Sequence, residues 1–388
     1  MLSQNVSPRS CPTKESPLKI TRISAWSAHL PYVEGAYRMA GNRISTGMDA
    51  VVVRVTAADG TVGIGESGTC GVTFDAQNFP GQITGVASLA AAVVGADARN
   101  PGAVHRLMSA AMTGHPYCKA PIDNAMWDLA ARLAGVPVWK LLGGDGPGVT
   151  PLYRPVQGAT PAEAVDKARL RLSQGYRRLQ VKIGDDPIVD AQRVLAVRDE
   201  VGPDVVIYTD ANCGFSLANA RRYVRELGAG GAGVFLEQPC ATLTDCANLR
   251  SSWDGPMVMD ENIVSLHALL EAHRLGVADG ITIKLTRVGG VTPARLIRDV
   301  AVELGIGVTV EDPSGCDLND MTFAHMNAST PERLRVHAVD FNSWVTLNFV
   351  DGPSPRDGSF LRPHGDQPGY GLTLREDLLG EPFVDVRM

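Results

Sequence analysis

From Val149 onward the chain repeats one pattern, a short apolar run followed by a stretch with helical spacing. The runs are PLYRPVQ, RRLQVKIG, VVIYTDAN, GVFLEQP, PMVMDEN, GITIKLTR, GVTVEDPS and RVHAVDF, and the stretches between them include PAEAVDKARLRLSQG and SLANARRYVRELGAGG. Parallel strands need a connection about as long as a helix, so this rhythm specifies βα units in a parallel sheet. Eight units in about 190 residues favour an α/β barrel, a closed (β/α)8 ring, over an open doubly wound sheet. Periodicity alone leaves an open doubly wound sheet as the alternative.

The strands end in an ordered set of ionisable residues: Lys182, Asp210, Glu237, Asp260 and Lys284, at intervals of 28, 27, 23 and 24 residues. Each interval is one βα unit. Each residue therefore stands at the C-terminal end of a successive strand, the second to the sixth, on the rim where barrel active sites are built. A single acid in such a place reads equally well as the N-cap of the next helix. Five in consecutive register are much harder to produce by capping, and two of them are lysines, which do not cap N-termini.

Before residue 149 the pattern differs. Leu18 to about Ala57 alternates as strands do, Asp59-Gly60 signals a hairpin, and Gln82 to Leu142 has helical spacing that stops at Gly143-Gly144. We expect a loose polar tail over 1–17, an α+β unit over 18–148, the barrel over 149–350, and a Pro- and Gly-rich segment over 351–388 that returns to the first unit. The tail lacks the apolar core of a secretory signal. No stretch approaches the ~20 unbroken apolar residues that span a bilayer. The 388 residues carry a net charge of −6, which argues against a nucleic-acid partner because phosphate binding needs a basic face. Seven scattered cysteines without a Cys-x-x-Cys pair indicate neither a zinc ribbon nor a disulfide framework, and fit a reducing, cytoplasmic setting.

Three neighbouring carboxylates cannot share a rim without a compensating cation. Oxygen ligands alone, with no His or Cys in register, select a hard divalent ion, Mg²⁺ or Mn²⁺, over zinc. Mg²⁺ would keep positions open for a substrate carboxylate. Strands two and six of eight lie across a barrel from each other, so Lys182 and Lys284 would flank that substrate on opposite faces. Removing the proton α to a carboxylate creates an enediolate, whose charge the cation stabilises. Two opposed lysines can take the proton from one side and return it on the other, which suits a racemase or epimerase. A lysine must be neutral to act as a base, so the cation has to lower its pKa. Asn212 is either a hydrogen-bond partner beside Asp210, if the strand continues, or a turn residue in Ala-Asn-Cys-Gly.

On these residues, and on KAPIDNAMWDLAARLAGVPVWKLLGG, TDAN, LEQP, MDEN and IKLTRVGGVTPA, the chain resembles the enolase superfamily, in particular its mandelate racemase and muconate lactonizing enzyme branch. The resemblance covers nearly everything after residue 17. It implies Mg²⁺ on Asp210, Glu237 and Asp260, acid and base roles for Lys182 and Lys284, a homo-oligomer, and a small carboxylate substrate. It also implies a capping domain, built from the N-terminal third and the C-terminal segment, whose loops choose that substrate.

Departures narrow the field. The family often has Lys-x-Lys on the second strand; here Gln180-Val181-Lys182 puts a neutral amide on the face of Lys182. No His follows the seventh strand, where EDPSGCD offers Asp312 as a candidate substrate contact. A His–Asp dyad is therefore absent, which counts against most sugar-acid dehydratases as well. RLQVKIG, LEQPC and GHPYCKAPID look most like members acting on proline-type substrates: hydroxyproline or proline-betaine epimerases and cis-3-hydroxyproline dehydratases. The betaine epimerases tend to place an aromatic near the seventh strand for a quaternary ammonium, and EDPSGCD has none. Tyr37, beside Arg38 and Arg43, and Phe74 lie in loops that the resemblance closes over the mouth, with ordinary packing as the alternative for each.

Two features are set aside. Gly63-Ile-Gly65-Glu-Ser-Gly68 matches G-x-G-x-x-G but lacks a helix directly after it, and reads as a turn. His115 and His325 lack acidic partners at ligand spacing and read as surface or packing residues. The expectation is Mg²⁺-dependent abstraction of an α-proton, first as an epimerase of a proline-type amino acid or its betaine. The alternatives are a dehydratase of a hydroxyproline and, in another class, a catalytically silent ligand-binding paralogue.

Overall fold

The computed structural model describes residues 17–39, 43–72 and 76–388; Phe74 and all but the last residue of the expected tail lie outside them. Strands β1 (Ile20–Pro31), β2 (Gly47–Ala57) and β3 (Val62–Thr69) pair as an antiparallel meander. Asp59-Gly60 makes the expected turn: Gly60 takes φ +88°, open to glycine at little cost, and donates to Ala57 O at 3.0 Å. Helices α1 (Phe79–Val93), α2 (Pro101–Ala111) and α3 (Pro116–Leu133) follow. Val51, Val53 and Val55 of β2 share a core with Val86, Leu89 and Leu129 of these helices. Ala50 and Val52, on the other face, join the core of the barrel. Burial on both faces explains why this run is continuously apolar instead of alternating.

The G-x-G-x-x-G segment is a strand and not the turn expected of it, since Gly63 to Gly68 lie inside β3. Two of its glycines, Gly63 and Gly65, serve close packing on α3. A Cβ on Gly63 would stand 2.3 Å from Ala125 O and 2.5 Å from Leu129 Cβ. Gly63→Ala should therefore cost about 1–3 kcal/mol by over-packing. The readout is a lower urea midpoint at unchanged slope; an unchanged midpoint would contradict this packing.

Seven parallel strands come next: β4 (Arg154–Val156), β5 (Arg178–Lys182), β6 (Val206–Asp210), β7 (Val234–Glu237), β8 (Met257–Met259), β9 (Gly280–Lys284) and β10 (Gly307–Glu311). They lie side by side in sequence order. Helices α4 (Pro161–Ser173), α5 (Pro187–Val201), α6 (Leu217–Leu227), α7 (Leu243–Arg250) and α8 (Leu266–Arg274) connect the first six. A single turn, α9 (Leu285–Val288), then precedes α10 (Val291–Glu303), and α11 (Asp317–Ala328) follows β10.

The eighth run, expected as a strand, makes only isolated parallel bridges: Arg335 with Val308 of β10, and Ala338 with Leu152 just before β4. These bridges still join the two edges of the sheet. Pro151 and Pro155 supply no N–H along the β4 edge, so a continuous ladder cannot form there. The last strand, β11 (Val384–Arg387), pairs with β1 and becomes the fourth strand of the first sheet. Among the described residues, no helix is long and apolar enough to cross a membrane.

Candidate active site

Strand register builds the site. Lys182 pairs with Asp210, Asp210 with Glu237, and Lys284 with Glu311, all at C-terminal strand ends. Adjacent strands are about 4.8 Å apart and side chains alternate between faces, so this row projects into one mouth. Asp260 follows one residue after β8. The strand order leaves β5 and β9 four positions apart, and Lys182 and Lys284 line one cavity with Asp210, Asp260 and Glu311. None of the three acids caps a helix. Ser216, Thr242 and Ser265 do that, accepting from the N–H groups of Asn219, Asp245 and Ala268.

The charges are arranged in close pairs. Lys182 Nζ donates to Asp210 Oδ2 at 2.5 Å and to Asn212 Oδ1 at 3.3 Å. Lys284 Nζ stands 3.1 Å from Asp260 Oδ2 and 3.7 Å from Glu311 Oε1. Arg287 Nη1 donates to Asp260 Oδ1 at 2.6 Å. Burial opposes charge on both lysines, but Asp210 and Tyr37 at Lys182, and Asp260 and Glu311 at Lys284, outweigh it and hold both amines above the usual lysine range. Burial, reinforced by Asp210 and Asp260, lifts the Glu237 carboxyl well above its usual value. Burial also pushes Glu311 up to about 7 against the opposing field of Lys284.

Three buried carboxylates at neighbouring strand ends, with oxygen as the sole donor type, match the chemistry of a hard divalent cation. Among the described residues no three acids, histidines or cysteines close into a ready-made metal cage. Asp210 leans toward Lys182, and Asp260 toward Lys284 and Arg287. The same cations that offset this negative field are the groups a dication would displace or discharge.

The remaining candidates have specific places. Gln180 Nε2 donates to Glu237 Oε2 at 2.9 Å, while Thr282 Oγ1 donates to Glu237 Oε1 at 3.1 Å. The strand does not continue to Asn212, which takes φ +42° in a turn. That turn is what brings its side chain to Lys182 and, through Nδ2, to Glu261 Oε1 at 3.0 Å. Tyr37 borders the cavity with its ring 6.0 Å from Lys182 Nζ, edge-on to Trp344 at 5.2 Å. Asp312 also borders the cavity, yet it is fully buried and both its oxygens accept hydrogen bonds from protein groups. His325 is buried and accepts from Trp139 N, a packing role. His115 begins α3 on the surface.

Several cavity residues escaped the sequence reading. Glu311 stands 27 residues after Lys284, so extending the strand-end series by one unit would have found it. Tyr153, which donates to Glu311 at 3.4 Å, and Trp344 carried no such signal. A wider groove leads outward from Lys182 past Ile44, Glu163, Lys167 and Asp186. Chemically, the arrangement offers two proton-bearing amines facing one small cavity, with an anion-rich wall between them that a metal can bridge.

Comparison with known proteins gives the family. Residues 163–378 match the family of enolase C-terminal domain-like proteins, and residues 31–143 the mandelate racemase/muconate lactonizing enzyme N-terminal domain. The chain is 34% identical over 367 residues to the cis-3-hydroxy-L-proline dehydratase of Roseibium aggregatum, covering 95% of this chain and 99% of that one. It is 27% identical over 380 residues to the N-succinyl-L-Arg/Lys racemase of Bacillus cereus, covering 95% and 98%. A solved enolase-superfamily member from Roseovarius nubinhibens, complexed with magnesium, superposes with a TM-score of 0.90 at 30% identity, covering 96% of this chain and 100% of that one. The chain therefore belongs to the enolase superfamily, in its mandelate racemase and muconate lactonizing enzyme branch.

Proposed function

We propose that the protein is a Mg²⁺-dependent dehydratase of a hydroxyproline, cis-3-hydroxyproline being the first candidate. The observation that carries this reading is the pair of lysines lining one cavity from opposite strands, together with the 34% identity to a cis-3-hydroxy-L-proline dehydratase. The sequence alone put an epimerase first and this dehydratase second; the relative's activity reverses that order. Asp210, Glu237 and Asp260 would hold the ion. When bound, it would offset the acids' field at both lysines and stabilise charge developing on the substrate carboxylate.

In the cis-3 isomer the hydroxyl and the carboxylate share a ring face, so the α-proton lies on the other. One neutral lysine takes that proton, and the C–H electrons enter the enediolate. They then form the Cα–Cβ double bond as the Cβ–O bond breaks, and the opposite lysine, still an ammonium, donates its proton so that the hydroxyl leaves as water. The enamine tautomerises to a cyclic imine. Tyr37 and Trp344 wall the cavity on the side of the capping domain and would limit water.

Epimerisation is the second reading, favoured by the same opposed amines: the far lysine returns its proton to Cα instead. The two separate in one experiment. Incubated with Mg²⁺ in D₂O, cis-3-hydroxy-L-proline should lose water to the cyclic imine, followed by NMR. Inversion with deuterium at Cα and retention of the hydroxyl would establish the epimerase. If cis-3-hydroxyproline, both proline enantiomers and N-methylated prolines all remain unexchanged, the proline-type reading is wrong. A homo-oligomer in the cytoplasm is part of the same proposal.

A further inference from the structure

We propose that Asp312 is a positioning residue for Lys284, linking the end of β9 to the capping domain; the inference rests on the α-proton reading above. Lys284 is the last residue of β9, and α9 begins at the next residue. A side chain rooted at such a junction points wherever the following turn sets its backbone. That turn is held from two sides. Thr286 donates to Asp312 twice, from its N–H at 2.9 Å and from Oγ1 at 2.6 Å. Arg287, one residue on, reaches back to Asp260.

Asp312 is itself fixed from behind. Asn319 Nδ2 donates to Asp312 Oδ2 at 3.0 Å, and the Asn319 N–H donates to Glu66 Oε2 at 3.1 Å. Cys316 N also donates to Glu66, at 3.1 Å. Glu66 lies on β3, so a carboxylate of the capping sheet satisfies the N-terminal amides of α11, whose own cap residue Cys316 makes no side-chain cap bond. Glu66, Asn319 and Asp312 are all 0% exposed. The result is a buried track from β3 through α11 and Asp312 to α9 and Lys284.

The other lysine is held by a different set of groups: Asp190 of α5 accepts from Gly184 N at 2.8 Å and Asp185 N at 3.0 Å just after it, and Asn212, which accepts from its Nζ, takes a hydrogen bond from Arg43 on its carbonyl. The Lys182 carbonyl accepts from Arg193 Nη2 at 2.8 Å, and its strand end is held by α5. The bonds from Thr286 to Asp312 hold the turn after Lys284, so loosening Asp312 should act mainly on that face of the substrate. Proton transfer needs the amine within hydrogen-bond reach of Cα, and small misplacements are costly.

The test uses Asp312→Asn and Thr286→Val in the full-length protein, with Thr286→Ser as the conservative control. One readout is Mg²⁺-supported α-proton exchange of L- and D-proline in D₂O, the Lys284 face being the one silenced by Lys284→Ala. Exchange from that face should fall by about tenfold or more and the other by less than about twofold, with Thr286→Ser close to wild type. The second readout needs no substrate: reductive methylation of Lys284 relative to Lys182, read by peptide mass spectrometry, should rise several-fold. Equal loss on both faces, or an unchanged methylation ratio, overturns the proposal. Should the wild type exchange neither enantiomer, the proline-type reading is what fails, and the methylation ratio alone decides the role of Asp312. If Asp312→Asn does not fold, Thr286→Val carries the same test.

Discussion

Lys182→Ala and Lys284→Ala are each expected to lower turnover by about 10²–10⁴-fold, the usual contribution of a positioned acid or base, and to do so in different ways. On the proposed reading the two amines serve opposite faces, so loss of one should silence α-proton exchange from one enantiomer while the other enantiomer still exchanges. For the dehydration the split is sharper. The variant lacking the base loses exchange and elimination together, whereas the variant lacking the acid keeps exchange and loses elimination. Each assay belongs in saturating Mg²⁺. Truncating a lysine leaves Asp210 or Asp260 buried beside fewer cations, and breaking a buried pair costs about 3–5 kcal/mol when nothing replaces the lost charge. Thermal melts before and after adding the ion separate that effect from chemistry. If both variants turn over both enantiomers, the two-base assignment is wrong.

Removing the divalent ion should be as damaging. Chelation is expected to bring the rate down by on the order of 10³-fold or more, since a Lewis acid contributes several kcal/mol and each 1.4 kcal/mol is tenfold. Adding Mg²⁺ back should restore it. Glu237→Gln should do the same irreversibly, because Glu237 stands between Asp210 and Asp260 in the strand order and its oxygens already accept from Gln180 and Thr282. Stability provides an independent readout. An ion at about 100 times its Kd stabilises the folded state by about 2.7 kcal/mol, so Mg²⁺ should raise the melting temperature of the wild type and leave Glu237→Gln unmoved. A chelated enzyme at full rate would falsify the metal assignment.

Much of this site could be read from the chain. The spacing of Lys182, Asp210, Glu237, Asp260 and Lys284 reports the length of a βα unit, and a barrel turns that length into angular position. The same rule would have reached Glu311. It could not decide whether the acids cap the following helices; the structure shows that Ser216, Thr242 and Ser265 do so instead. Nor could it see that Asn212 meets Lys182 by way of a left-handed turn. The glycines of β3 were misread as a turn because their function is steric: Gly63 and Gly65 make room for Ala125, some 60 residues away.

Sequence by itself determined the parallel βα units, their order and which charged residues stand at the strand ends, because burial and strand length leave a period along the chain. Tertiary structure decided which of those charges meet, how the eighth run joins the ring at isolated bridges, and that Glu66 reaches Cys316 across 250 residues. Contacts of that kind depend on how packed elements close on one another in space, and a linear pattern holds no record of it.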